Sequence, residues 1–183
     1  MELPFALVIR FLLLFSFILI STIAQTPNNL IFEICKKTRN PSLCSQILKS
    51  NRKAVKAYSP QELGEIAINL SIISAQAIKK TIFTKRFLKT GDKVLKDRYK
   101  HCETNYESAI YYLKSSNYFL KHADISKLAR YAAAAVNEPI YCRESFAKRP
   151  PAEPAWLKEG NDKLECLCSV ILVISNCLSG KKL

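Results

Sequence analysis

The chain predicts an all-α fold: an up-down-up-down four-helix bundle with an N-terminal helical hairpin extension and two disulfides. Three observations carry this. Apolar residues recur at intervals of three and four, in Leu63, Ile66, Leu70, Ile73 and Ala77 and again in Tyr99, Cys102, Tyr106, Ile110 and Leu113, the spacing of one core-facing stripe on a helix. Glycine is scarce, at four in 183 residues, and no stretch alternates apolar and polar residues as a half-buried strand does. Four of the seven cysteines also fall where two disulfides of a helical domain need them. Cys35 and Cys44 bracket the Asn40-Pro41 turn, and Cys102 and Cys142 stand 20 residues either side of His122. In an antiparallel helix pair, residues equidistant from the turn share a height, because each rises about 1.5 Å on either arm. A disulfide needs Cα atoms within about 7 Å, so this symmetry permits the pairing.

Residues 1–24 read as a signal peptide. Phe11 to Ile20 is almost unbroken apolar chain, and Thr22-Ile23-Ala24 offers small residues for cleavage before Gln25. Glu2 and Arg10 are atypical of such a segment, which leaves a retained signal anchor as the alternative. No later run is expected to reach the ~20 apolar residues of a membrane span. Residues 25–183 form the expected domain, with a hairpin at about 28–57 and a bundle at about 60–179. Short helices lie within 28–57. Ser59-Pro60-Gln61-Glu62 opens the first bundle helix, with serine as N-cap, proline at the first helical position and glutamate placed for a capping box. The four long helices are expected at about 60–88, 92–120, 124–147 and 156–179. Lys89-Thr90-Gly91-Asp92 makes the first turn, Asp124 caps the third helix, and Pro150 to Pro154 forms a stiff linker. Pro139 should kink or end the third helix, having no N–H to give. Gly180 fits a C-terminal stop.

Cys166, Cys168 and Cys177 remain. On one helix the first two point about 200° apart, and the first and last are separated by about 16 Å of rise, so neither pair can bridge. They are expected as buried small hydrophobes, with an intermolecular bridge as the sharper alternative.

The net charge is +13, and it survives signal removal because Glu2 and Arg10 cancel. Such a charge reads either as solvated helix surface or as an attraction for polyanions. Secretion makes nucleic acid an unsuitable partner, leaving acidic polysaccharide or an acidic protein. Nothing in the chain reads as a catalyst. The two histidines, His101 and His122, stand at no metal-ligand spacing, and there is neither a nucleophile elbow nor a glycine-rich phosphate loop. Glu103 and Glu107, one turn apart, are an ordinary helix-surface pair. No cofactor and no metal are expected. Asn69-Leu70-Ser71 is the one glycosylation sequon.

The motifs resemble those of the plant inhibitors of invertase and pectin methylesterase, over about Ile31 to Leu178. The first is Ile34-Cys35-Lys36-Lys37-Thr38 with Asn40-Pro41-Ser42-Leu43-Cys44. The second is Cys102-Glu103-Thr104-Asn105-Tyr106, and the third is Ala132 to Val136 leading to Cys142-Arg143-Glu144-Ser145-Phe146. The resemblance implies disulfides Cys35–Cys44 and Cys102–Cys142, and a secreted, non-catalytic protein of the apoplast or cell wall, with the vacuole as the alternative. It further implies an inhibitor that reversibly covers the substrate cleft of a wall enzyme with bundle surface.

The expected target is pectin methylesterase. Acid invertase is the alternative, and a basic binding protein without an enzyme target is a further one. The chain is also similar to the pollen-type invertase-inhibitor subgroup. Inhibitors of invertase in this family often carry Pro-Lys-Phe near the turn between the second and third bundle helices. Here the region reads Lys121-His122-Ala123-Asp124-Ile125-Ser126-Lys127, without that motif. Lys121, His122, Asp124, Ser126 and Lys127 are the candidate partner-binding residues, and His122 is the group whose charge can change between pH 5 and 8. Anionic pectin is a candidate second partner. A lipid-transfer protein would need eight cysteines including an adjacent pair, and a membrane-active protein one strongly amphipathic cationic helix. The chain has neither.

Overall fold

Local capping signals decide where each helix begins. In the computed structural model, which describes residues 27–88, 91–147 and 150–180, seven helices follow one another: α1 Pro27–Cys35, α2 Pro41–Lys49, α3 Arg52–Val55, α4 Pro60–Leu88, α5 Lys93–Lys121, α6 Ile125–Ala147 and α7 Ala155–Leu178. The expected signal peptide lies outside the described residues. Asn40 caps α2, its side chain accepting from the Leu43 N–H at 3.1 Å with Pro41 at the first position. Asn51 caps α3 and Asp92 caps α5 in the same manner. At the head of α4 the Ser59 hydroxyl accepts from the Glu62 N–H at 3.1 Å as expected. The reciprocal bond differs: Glu62 Oε2 reaches past the cap to the Tyr58 N–H at 3.0 Å. Gly180 ends α7 at φ +80°.

The four long helices pack as a ring, each against its chain neighbours, with α7 closing on α4. This is the up-down-up-down bundle. The hairpin of α1 and α2, extended by α3, lies on the α4–α7 side, so the α5–α6 side is the opposite one. Both disulfides are present. Cys35–Cys44 holds the hairpin with Cα atoms 5.4 Å apart, and Cys102–Cys142 joins α5 to α6 at 4.5 Å. Closing these loops restricts the unfolded chain by roughly 2.7 and 4 kcal/mol respectively, on the chain-entropy account.

On α5, Tyr99, Cys102, Tyr106 and Leu113 are buried as expected, and Ile110 is half-buried. The α4 stripe is not. Leu63 is buried, but Ile66 and Leu70 are half-buried and Ile73 and Ala77 are exposed. The core takes Ala67, Ile68, Ala75 and Ile82 instead. The expected set advances 3.5 residues per turn, so over two heptads it drifts about 40° from a straight helix. It also passes over the alanines, which carry little hydrophobic weight but allow close approach. Ile73 and Ala77 instead line a groove of about 460 Å³ shared with Ile47 of α2 and Trp156 of α7. Pro60–Lys85 of α4 has the length and mean hydropathy, 1.2, of a span, contrary to expectation. Its inward residues pack on α3, α5 and α7, which buries a third of that stretch.

The hairpin is docked by apolar and ionic contacts. Leu30, Ile31, Ile34 and Leu48 are fully buried. Above them Glu165 of α7 pairs with Arg39 of the hairpin turn at 3.1 Å and with Arg143 of α6 at 3.0 Å. Arg143 also reaches Asp162 at 2.8 Å. Helix α7 approaches α4 closely at Gly160, where a Cβ would fall 2.5 Å from the Ile78 side chain.

A buried polar chain ties three helices and the linker. The Tyr106 hydroxyl donates to Asn161 Oδ1 at 2.7 Å, and Asn161 Nδ2 donates to Glu153 at 2.6 Å and to the Cys142 sulfur at 3.4 Å. Arg98, itself buried across the Phe146 ring, fixes the linker by donating to the Pro150 and Pro151 carbonyls at 3.2 and 2.5 Å. Pro139 does not end α6, which runs unbroken to Ala147. The proline is buried in the packed interior, where neighbouring helices hold the chain in place. Cys166 and Cys168 are buried as expected and Cys177 is half-buried. Burial pushes the Cys166 thiol up to about 11 and raises that of Cys168 further, so both stay protonated and inert.

Two predictions follow from these buried groups. Tyr106→Phe leaves the buried Asn161 oxygen without its donor and should cost about 1–3 kcal/mol in urea unfolding, with an unchanged m value. Glu138 is buried on α6, and burial raises its carboxyl above the ordinary 4.5. A carboxyl raised in the folded state favours folding fully below its unfolded value and loses that advantage as pH rises through the folded one. Glu138→Gln should therefore stabilise the protein at pH 7 and leave it unchanged at pH 4, read as the shift in thermal midpoint.

Candidate functional site: the α5–α6 face

The turn between α5 and α6 is set by main-chain bonds. Asp124 N–H returns to the Phe119 carbonyl at 3.0 Å and Ala123 N–H to that of Leu120 at 3.2 Å. Ala123 takes the left-handed conformation at φ 54°, which is how a helix end satisfies its last carbonyls. Asp124 then caps α6: its Oδ1 accepts from the Lys127 N–H at 3.1 Å and its Oδ2 pairs with Lys127 Nζ at 3.0 Å. The backbone bond first, and the Lys127 side chain next, hold the Asp124 carboxyl below its usual value. Lys127 Nζ also lies 5.1 Å from the centre of the Phe119 ring.

The structure brings most of the expected residues into one patch. His122 ends α5 with its ring stacked on Tyr118 at 4.0 Å and its Nδ1 2.7 Å from the Tyr118 carbonyl. Since that carbonyl only accepts, Nδ1 carries the hydrogen. Lys121, His122, Ser126 and Lys127 are exposed and Asp124 is half-buried. The Lys121 and Ser126 side chains stand at the rim, with no hydrogen bond or ion pair to the described residues.

Sequence reasoning missed the aromatic surface on which this turn stands. Tyr118 meets Phe119 edge-on at 5.2 Å, Phe119 stacks on Tyr131 of α6 at 5.2 Å, and Tyr131 meets Tyr112, which meets Tyr111. Tyr111 and Tyr118 are 60% and 56% exposed. They lie seven residues apart, two turns up one helix face, with Lys114 exposed between them. That spacing was visible in the sequence, but attention to the core stripe passed it over. The result is a run of rigid aromatic rings with lysines at its edge, and exposed aromatic rings are enriched in protein–protein contacts. Among the described residues no group of three His, Cys, Asp or Glu gathers as metal ligands would.

Asn69 is exposed midway along α4, while Ser71 of the same sequon is buried and donates to the Ala67 carbonyl at 2.7 Å.

Comparison with known proteins agrees with the fold and the motifs. The family model described as plant invertase/pectin methylesterase inhibitor matches residues 29–174. A pectinesterase inhibitor of Actinidia deliciosa is 40% identical over 175 residues, covering 93% of this chain and 93% of its own length. Pectinesterase inhibitor 2 of Arabidopsis thaliana is 32% identical over 146 residues, covering 78% of this chain and 80% of its own length. The crystal structure of a mutant form of a pectin methylesterase inhibitor from Arabidopsis aligns at a TM-score of 0.71 and 26% identity, covering 78% of this chain and 93% of that one. A second, of a pectin methylesterase inhibitor from Arabidopsis thaliana, aligns at 0.62 and 25%, covering 81% and 95%. The chain belongs to the plant invertase and pectin methylesterase inhibitor family.

Proposed function

We propose that the protein is a secreted inhibitor of pectin methylesterase that covers the enzyme's substrate cleft reversibly, with the α5–α6 face turned to the enzyme. The observation that carries the target is 40% identity, across nearly the whole of both chains, to a protein named for that inhibition. The bundle and both disulfides support the same reading. Acid invertase is the less favoured target, since the relatives at 40% and 32% identity are named for pectinesterase and the turn lacks Pro-Lys-Phe. The working chain is residues 25–183, released to the apoplast or cell wall after signal cleavage, and its +13 charge draws it to acidic pectin there.

An interface of ordinary size covers about 800 Å² of each partner. The exposed rings and rim charges of α5 and α6 would form part of such an interface, without a cofactor or covalent step. Tyr118 is the expected anchor: it is exposed, yet its orientation is fixed by Phe119 and His122, so little side-chain entropy is lost on binding.

Residues 25–183 titrated into pectin methylesterase and acid invertase assays at pH 5 and pH 7 should inhibit the first and spare the second. Inhibition of invertase alone would reverse the assignment. Tyr118→Ala should weaken inhibition about tenfold or more, and His122→Ala should reduce any difference between the two pH values. Lys80→Ala, on exposed α4 surface, should change nothing.

A further inference from the structure

We propose that the outer face of the N-terminal hairpin is a binding site for a chain of carboxylated sugars, separate from the enzyme-facing surface. This rests on the reading above that acidic pectin is a partner, and it locates that contact.

The chain has two strongly basic runs, Lys36 to Lys56 with seven basic residues and no acid, and Lys79 to Lys100 with nine basic and two acidic. No acidic residue stands between Glu33 and Glu62. Lys36, Lys37 and Arg39 precede α2, and Lys49, Arg52, Lys53 and Lys56 end or follow it. Lys36 pairs with Glu33 and Arg39 with Glu165. Lys49, Arg52, Lys53 and Lys56 are exposed, with no ion-pair partner among the described residues. On the bundle several basic residues are matched, as in Lys79–Glu107 and Lys158–Asp162, and it is the groove beside the basic residues that sets the hairpin apart.

Between α1 and α2 lies a groove of about 470 Å³, to which Lys49 of the hairpin's basic run belongs. Phe32, Lys36, Ser42, Ser45, Gln46 and Lys49 contribute to its lining. The Phe32 ring is 61% exposed, an unusual position for a phenylalanine, and Lys36 Nζ lies 5.8 Å from its centre. A uronate chain presents three things: an apolar C–H face on each ring, hydroxyls at the ring edge, and a carboxylate per sugar. The groove answers each with a flat ring, hydroxyl and amide side chains, and ammonium groups at its margins. An anionic bilayer would meet the same charge, but it needs a broad apolar helix face, and the apolar residues Cys44 and Leu48 of α2 are buried. The hairpin sits against α4 and α7, so both faces can be occupied together.

The test is sedimentation of residues 25–183 with polygalacturonate, with highly methyl-esterified pectin and with phosphatidylserine vesicles, alongside methylesterase inhibition. The variant carrying Lys49→Gln, Arg52→Gln, Lys53→Gln and Lys56→Gln should bind polygalacturonate about tenfold more weakly, as four exposed ion pairs of ordinary strength imply. It should inhibit the enzyme as before. Phe32→Ala, which changes no charge, should also weaken polygalacturonate binding several-fold. A variant with Lys80, Lys93, Lys96 and Lys100 each changed to Gln removes the same charge elsewhere and should bind nearly as the parent. Equal loss in both four-fold variants would overturn the hairpin site while leaving pectin association standing. No binding by the parent would remove both. Equal or tighter binding to the vesicles, or loss of inhibition in the hairpin variant, would also overturn the proposal.

Discussion

Three of the four long helices, and the linker between the last two, meet at the side-chain amide of Asn161. The residue is fully buried and uses both ends: its oxygen accepts from Tyr106 of α5, and its nitrogen donates to Glu153 of the linker and to the Cys142 sulfur of α6. A buried amide left half-bonded costs more than an apolar residue would, so the network tolerates one arrangement and not its neighbours. The Cys102–Cys142 bridge fixes the same two helices at the same level. Height and rotation of α5 against α6 are thus set together.

The outer surface follows from that rotation. With Tyr106 pinned inward, Tyr111 and Tyr118 stand about 140° and 120° round the helix and face solvent. Phe119 and Tyr112 fall between them and the core and reach Tyr131 across the seam. The aromatic face is therefore a consequence of the core register. On the proposed reading, the other side of the bundle has a different task. The hairpin, tied to α7 by Glu165 and its own apolar residues, holds its uncompensated basic residues away from the enzyme.

Much of this was legible in the sequence, because helix ends are written in local chemistry. Ser59-Pro60, Asp92, Asp124, the proline linker and Gly180 placed the four long helices to within a residue or so of the observed bounds, while the hairpin helices were located only within 28–57. The cysteine spacing located both bridges. What failed depended on contacts that local chemistry does not encode. On α4 the inward face was marked by alanines, and Ile73 and Ala77 pointed to a groove whose far wall is the hairpin. Pro139 was accommodated by packing that no propensity describes. The turn residues 121–127 were proposed from the family resemblance, and Tyr111 and Tyr118 were passed over because they lie off the core stripe. The Arg39–Glu165 contact spans 126 residues, and nothing local announces it.

Hydrogen–deuterium exchange of residues 25–183, free and bound to a plant pectin methylesterase, tests the central claim most directly. The account predicts added protection over the facing parts of α5 and α6, from about residue 107 to 131, with the hairpin unchanged. Protection on the hairpin, with α5 and α6 exchanging as in the free protein, would contradict it.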